Sequence, residues 1–361
     1  MRKNTGRSKL IHDQPQQIRL GFQTTCKSPG RFGCHGRKVA RVGGTARGIG
    51  GHKLKLLIDA DRQNYASWVM HAEKIWDLGM VELVSDETEE TDYLLLVDGP
   101  KTNHSRRHVN RAILSCWAGA DGILASGKLP DNTPIIRAMD DGMALGMRDY
   151  VLGAFLYHVG RFNSHRNNMA KATWKPKQPG LAHGMKIAIL GYGRLGKFVG
   201  DALHHLGCEV HGVVRNARNL EESTAVVHVM ANWRGALEGA GALINLLPST
   251  PETHRLINAD MFGALRDGAV FINAGRGASL HEASLIPWLE QHPENEAILD
   301  VFTTEPLPKD HPFWKHASIL VTPHVASCSR PEWTLPELLD RAKRHAKGCD
   351  IPGIVQRNHG Y

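Results

Sequence analysis

Three side chains late in the chain are of types suited to anion and proton chemistry: Arg276, Glu305 and His324, set 29 and 19 residues apart. Arg276 carries a planar guanidinium that can grip a substrate carboxylate with two parallel hydrogen bonds. His324 can give a proton to a carbonyl oxygen as hydride arrives at carbon. Glu305 can hold that imidazole in place and raise its pKa, so that it stays protonated near neutrality. Singly, each has a plain structural reading: a surface arginine, an acidic turn residue before Pro306, a polar residue after Pro323. Together they suit a reductase, provided that the fold gathers them and supplies a hydride donor.

Each follows a strand-like run. Residues 268–273, 296–302 and 319–322 are apolar, and a fourth such run, 241–248, precedes them. All four end in polar or glycine residues, and in an open parallel sheet ligands bind beyond that carboxyl edge. Upstream, Met185-Lys186-Ile187-Ala188-Ile189-Leu190 reads as a strand, and Gly191-Tyr192-Gly193-Arg194-Leu195-Gly196 as a Gly-x-Gly-x-x-Gly turn. Leu195, Phe198, Val199, Ala202, Leu203 and Leu206 then recur at helical spacing, and residues 209–214 form a second strand. In that setting the glycines permit a tight turn, close approach of a pyrophosphate and helix–strand packing. The helix start offers N–H groups and positive dipole to the phosphates. NAD enzymes place an acid about 20 residues further on, to bond the ribose 2′-hydroxyl. Here that place holds Arg215, with Arg218 close behind, which predicts a preference for NADPH, with NADH possible as a second cofactor.

The remaining chain supports an α/β reading. Strands are predicted at residues 54–59, 81–84, 93–97, 112–116 and 134–138, with a helix over 65–78, one long helix over 142–169 and a final helix over 331–347. At 361 residues and 42% hydrophobic content the chain can build two cores. No apolar run reaches the length of a membrane span. Six scattered cysteines read as reduced thiols of a cytoplasmic protein rather than a disulfide framework.

The net charge of +8 is concentrated at the start. Residues 1–52 hold eleven Lys/Arg, one acid (Asp13) and ten glycines, a net of +10 that leaves −2 for everything after. The body therefore has no charge argument for binding nucleic acid, and none is expected. The first 52 residues lack apolar periodicity and are expected to be disordered. An organellar transit peptide, a nucleic-acid arm and sequence upstream of the true start are the competing readings; no methionine lies between Met1 and Met70. The glycine turn at 44–50 resembles that of short-chain dehydrogenases, yet no tyrosine has a lysine four residues on, so it is set aside. Cys26 and Cys34-His35 lack a second ligand pair, and no metal is expected.

Asn273-Ala274-Gly275-Arg276-Gly277, the run 299–308 ending Glu305-Pro306-Leu307-Pro308, and Thr322-Pro323-His324-Val325-Ala326 resemble the signatures of D-isomer-specific 2-hydroxyacid dehydrogenases. The order and gaps of Arg, Glu and His match that family, as does the loop Leu246-Leu247-Pro248-Ser249-Thr250. Asp140-Asp141-Gly142-Met143, His311-Pro312-Phe313-Trp314 and the ending Gly360-Tyr361 are similar to its glyoxylate/hydroxypyruvate reductase A branch. The resemblance spans roughly residues 54–361. It implies two Rossmann-like, doubly wound parallel-sheet domains, with the cofactor domain (143–324) inserted into a substrate domain (53–142 and 325–361). It implies reduction of glyoxylate and hydroxypyruvate, with Arg276 on the substrate carboxylate and carbonyl, His324 as acid/base and Glu305 as its partner. Asp300 would meet the nicotinamide carboxamide, and Leu247, Pro248 and Ala274 would line the cofactor. The loop of Ala118 and Gly119 would offer backbone N–H groups to the substrate, and the protein would be a homodimer.

Two departures bear on the substrate. The family's Gly-Ala-Gly-Val-Asp loop reads Trp117-Ala118-Gly119-Ala120-Asp121, and the branch's Val-Trp-x-Pro-Pro segment reads Val97-Asp98-Gly99-Pro100. The first implies a narrowed pocket or a rotated loop, the second a missing aromatic wall. A sister dehydrogenase with a larger substrate, or a nucleotide-sensing corepressor on the same fold, therefore stays open.

Overall fold

The computed structural model describes residues 54–75, 81–83, 90–117, 119–216, 223–355 and 357. The basic extension, with its expected disorder and its set-aside glycine turn, lies outside the described residues, as do Ala118, Arg218 and the ending Gly360-Tyr361.

The chain begins with β1 (Leu54–Asp59), α1 (Arg62–Ile75), β2 (Val81–Leu83), β3 (Glu90–Leu96), β4 (His108–Ser115), α2 (Asp121–Ala125) and β5 (Ile135–Arg137). These strands form one parallel sheet in the order β2-β1-β3-β4-β5. The near-continuous apolar ends of β3 and β4 follow from burial on both faces, as a parallel sheet requires. Leu56, Leu95 and Leu114 face one core, and their neighbours Leu57, Leu94 and Ile113 face the other.

Next come α3 (Asp141–Val159), α4 (Phe162–Ala170), β6 (Lys186–Leu190), α5 (Arg194–His205), β7 (Glu209–Val214), β8 (Val226–Val229), α6 (Trp233–Leu237), β9 (Ala242–Asn245), α7 (Ala259–Gly263), β10 (Val270–Asn273), α8 (Leu285–Gln291), β11 (Glu296–Leu299) and β12 (Ile319–Val321). They build a seven-stranded parallel sheet ordered β8-β7-β6-β9-β10-β11-β12. Its order reverses between β6 and β9, the place where such sheets open a ligand crevice. Leu190, Leu243 and Phe271 pack under α6, α7 and α8, while Ile189, Ile244 and Ile272 pack against α3 and α5.

The last helix, α9 (Pro331–Ala346), returns to the first sheet, where Leu335, Leu338 and Ala342 join the core of Leu56, Leu95 and Leu114. The second sheet is thus inserted within the first unit. Asp140 secures the crossing. Its buried carboxylate accepts from Met143 N at the start of α3 (2.9 Å) and from Thr334 Oγ1 in α9 (2.9 Å).

One expectation needs correction. The single helix over 142–169 is two helices, because Arg161 adopts a left-handed conformation (φ 56°) that no α-helix continues through. The turn brings the Phe162 ring back to that of Tyr157, with centroids 5.8 Å apart. Among the described residues no helix is long and apolar enough to cross a membrane.

Candidate active site

The glycine turn sits where β6 leaves the reversed sheet. Gly191 has φ +89°, and a Cβ there would stand 2.8 Å from the Leu246 carbonyl, so the loops after β6 and β9 touch backbone to backbone. Gly193 differs: it N-caps α5, and nothing lies within 4 Å of where its Cβ would be. Open space against the first turn of a twelve-residue helix is what a pyrophosphate needs, so the chain fits a dinucleotide. Leu195 and Gly196 continue that turn. Arg194 does not reach into the open space; its guanidinium binds Asp140 O (3.1 Å) and the Asp141 carboxylate at the start of α3.

The other expected cofactor residues lie along the same edge. Leu247 is buried, its N–H donating to Asn245 Oδ1 (3.1 Å), and Pro248 beside it is exposed. Ala274 is buried after β10, its N–H donating to Asn245 O (3.2 Å). Asn245 also donates to Asn273 Oδ1 (2.8 Å), which fixes the β9 and β10 loops to each other. Arg215 follows β7, well exposed, with Glu252 across at 3.9 Å.

Arg276 follows β10, and its guanidinium is held from the first sheet. Asp121, which opens α2, accepts from Nε (2.9 Å) and Nη2 (3.0 Å), and Gly275 O accepts from Nη1 (2.9 Å). Gly119 gives way to it: a Cβ there would stand 1.7 Å from Nη2. Sequence reading placed Gly119 beside the substrate but assigned Asp121 nothing. Its signal was present, an acid two residues beyond the glycine, but only tertiary structure shows what it binds.

Glu305 and His324 meet as expected, with Nδ1 of the ring 2.7 Å from Glu305 Oε2. The other carboxylate oxygen accepts the Phe302 N–H (2.9 Å). That hydrogen bond to Glu305 raises the His324 pKa above its ordinary value, against burial and the nearby Arg276 charge; the charges of Glu305 and Asp300 add to the rise. Burial pushes the Glu305 carboxyl up, but hydrogen bonds from His324 and Phe302, with the charges of His324 and Arg276, outweigh it and hold the group low. Arg276 therefore acts on both partners, and the three expected residues share one site.

Asp300, buried at the end of β11, carries the His324 loop. Its Oδ1 accepts from Val325 N (2.9 Å) and Thr322 Oγ1 (2.6 Å), its Oδ2 from Ala326 N (2.9 Å), and its carbonyl from His324 N (2.9 Å). Thr322 gives its one proton to Asp300, so Tyr150 of α3 donates to Thr322 Oγ1 (2.7 Å). Burial pushes Tyr150 up to about 12, which keeps it a neutral donor. Sequence reading gave no role to Tyr150, nor to Thr322, although Thr322 opens the motif that holds His324.

Comparison with known proteins decides what this arrangement is. The profile of the D-isomer specific 2-hydroxyacid dehydrogenase NAD binding domain matches residues 152–326. A glyoxylate/hydroxypyruvate reductase A of Serratia proteamaculans is 35% identical over 276 residues, covering 75% of this chain and 88% of that relative. The chain belongs to the D-isomer-specific 2-hydroxyacid dehydrogenase family. Solved structures agree with this. A family member from Xanthobacter autotrophicus, in complex with NADPH and MES, has a TM-score of 0.77 at 28% identity, over 86% of this chain and 100% of that one. The NADPH-dependent glyoxylate/hydroxypyruvate reductase of Sinorhizobium meliloti, in complex with NADP and sulfate, has a TM-score of 0.75 at 26% identity over the same shares. This dehydrogenase is therefore an oxidoreductase with a nicotinamide cofactor.

The two departures of this dehydrogenase meet in space. The Trp117 ring lies against Gly99, with Cη2 3.5 Å from where a Cβ would stand, and near Gly122. Asp98 turns aside to Asp61 N (3.2 Å) and Asn64 Nδ2 (3.1 Å). An aromatic ring thus stands beside the segment where one was expected to be missing.

The Glu305 contact sets the titration of His324. In an NMR titration, the His324 ring of the wild type should show a midpoint above the ordinary 6.5. In Glu305→Gln, burial and Arg276 act without the carboxylate, and the midpoint falls. An unmoved midpoint in the variant would show that Glu305 does not set the charge of His324.

Proposed function

We propose that this dehydrogenase reduces glyoxylate to glycolate and hydroxypyruvate to D-glycerate, with NADPH preferred. The observation that carries this is the Glu305–His324 contact at 2.7 Å beside Arg276, on neighbouring strand ends. The bound nicotinamide supplies hydride to the carbonyl carbon. Arg276 binds the substrate carboxylate and carbonyl oxygen, and the backbone N–H groups of Ala118 and Gly119 serve the same substrate. With Nδ1 held by Glu305, His324 presents its other ring nitrogen and donates a proton to the developing alkoxide, a contribution of about 10²–10⁴ in rate. Gly191, Gly193, Leu195, Gly196, Leu247, Pro248 and Ala274 form the cofactor cleft; Asp300 Oδ2, with one internal donor, has capacity left for the carboxamide. Residues 143–324 act as the cofactor domain, and residues 53–142 with 325–361 as the substrate domain.

The preference for NADPH rests on Arg215, exposed at the end of β7 where an acid would bond a ribose hydroxyl, with Arg218 as a second cation for a 2′-phosphate. The two NADP-bound relatives above support it. The deciding experiment is a kinetic panel of small 2-oxo acids with both cofactors. NADPH should give the higher kcat/KM, Arg215→Ala should lose that preference, and His324→Asn should lose about 10²–10⁴ in kcat. No NADPH oxidation with any 2-oxo acid would sink the reading, and full turnover by His324→Asn would sink the proton donor.

Trp117 restricts substrate size in this reading. Trp117→Ala should raise kcat/KM for 2-oxobutyrate or phenylpyruvate relative to glyoxylate by roughly tenfold or more, the scale that pocket volume sets. An unchanged ratio would place the ring outside the pocket.

We also propose a homodimer formed through the cofactor domain. Leu156, Phe162, Met169 (76% exposed), Trp174 (98%) and Leu181 put large apolar side chains in solvent along α3, α4 and the segment after them. Such surface on a folded domain marks an interface. Light scattering should give twice the chain mass, and Trp174→Glu with Met169→Glu should give the single mass; a wild-type monomer would refute it.

A further inference from the structure

The clamp on Arg276 has a direction. Asp121 occupies the edge of the guanidinium formed by Nε and Nη2, at 2.9 and 3.0 Å, and Gly275 O takes one N–H of Nη1. A guanidinium has five N–H groups in a rigid fork. Those contacts leave one on each terminal nitrogen, the pair that points straight out from the end of the side chain. Gly119 closes one side, since its Cα lies where only a hydrogen fits beside Nη2. A long arginine would otherwise lose rotamer freedom on meeting an anion. Here the loss is met in advance, by a carboxylate at the start of α2, which follows β4 of the first sheet, while Arg276 follows β10 of the second.

We infer that Asp121 is a positioning residue: it aims the outward edge of Arg276 at the substrate carboxylate and so sets affinity for the anionic end of the substrate. This rests on the reading of Arg276 as the carboxylate-binding group. An opposing effect exists, because Asp121 also cancels part of the Arg276 charge and so weakens its general attraction for anions. If cancellation outweighed aiming, removal of Asp121 would tighten anion binding. The bidentate geometry and the close fit against Gly119 favour aiming.

The experiment measures glyoxylate kinetics, competitive inhibition by oxalate, and NADPH binding by tryptophan fluorescence, in Asp121→Ala and the near-isosteric Asp121→Asn. KM and the oxalate inhibition constant should both rise by about tenfold or more, the scale of a lost charge-assisted hydrogen-bonded pair. NADPH affinity should stay within about twofold of wild type, and Asp121→Glu should recover part of the loss. A double-mutant cycle separates aiming from general damage. On an Arg276→Ala background, Asp121→Ala should add nothing to the oxalate constant. An additive effect there, or oxalate binding that is unchanged or tighter in the single variants, overturns the inference. A wild type that turns over no 2-oxo acid overturns the proposed function instead, so the two failures are distinct.

Discussion

A buried carboxylate must be answered by donors, and around Asp300 that requirement shapes the catalytic side of this dehydrogenase. The group is 1% exposed, and an ion taken so far from water costs several kcal/mol unless hydrogen bonds replace its hydration. The replacements are the N–H groups of Val325 and Ala326 and the hydroxyl of Thr322. The chain from 322 to 326 is therefore wrapped around one side chain. His324 sits inside the wrap with φ 55°, a conformation unusual for a residue with a Cβ. The local geometry is over-determined by Asp300, which also accepts the His324 N–H through its carbonyl. Through Thr322 and Tyr150 the same anchor reaches α3, the helix that crosses from one sheet to the other.

How much of this could be read beforehand follows the range of the interactions involved. Strands β6, β9, β10 and β11 were legible because a parallel sheet buries both faces, which writes a continuous apolar run into the sequence. The glycine turn was legible because its constraint is local. Arg276, Glu305 and His324 were legible through motif and spacing. The break after α3 was not, since Gly160 and Arg161 lie inside a pattern whose apolar residues continue on both sides. Strand β8 was missed because it is a four-residue edge with no fully buried side chain. Sequence reading gave Tyr150 and Thr322 no role, and Asp121, two residues beyond Gly119, carried a signal that only tertiary structure interprets. Each acts by a hydrogen bond to a residue at least 22 positions away, and spacing of that kind leaves no periodic trace.

The charges of the site are paired, and that pairing suits the proposed chemistry. Asp300, Glu305 and Asp121 are all carboxylates, and each is engaged from behind: Asp300 by its own loop, Glu305 by Phe302 N and the His324 ring, Asp121 by the near edge of Arg276. In the proposed reading the groups left for the substrate are then donors, the outer edge of the guanidinium and the second ring nitrogen of His324. In that reading a substrate carboxylate would meet fixed N–H groups rather than like charge, and a carbonyl oxygen gaining negative charge would meet a ring nitrogen already in position. Donors held in place before the reaction cost no reorganisation during it. The anions behind them hold the donors still, and in the case of His324 the Glu305 carboxylate favours the charged form. In the proposed reading, recognition of a small anionic 2-oxo acid and delivery of a proton to it would both draw on this one arrangement of paired charges.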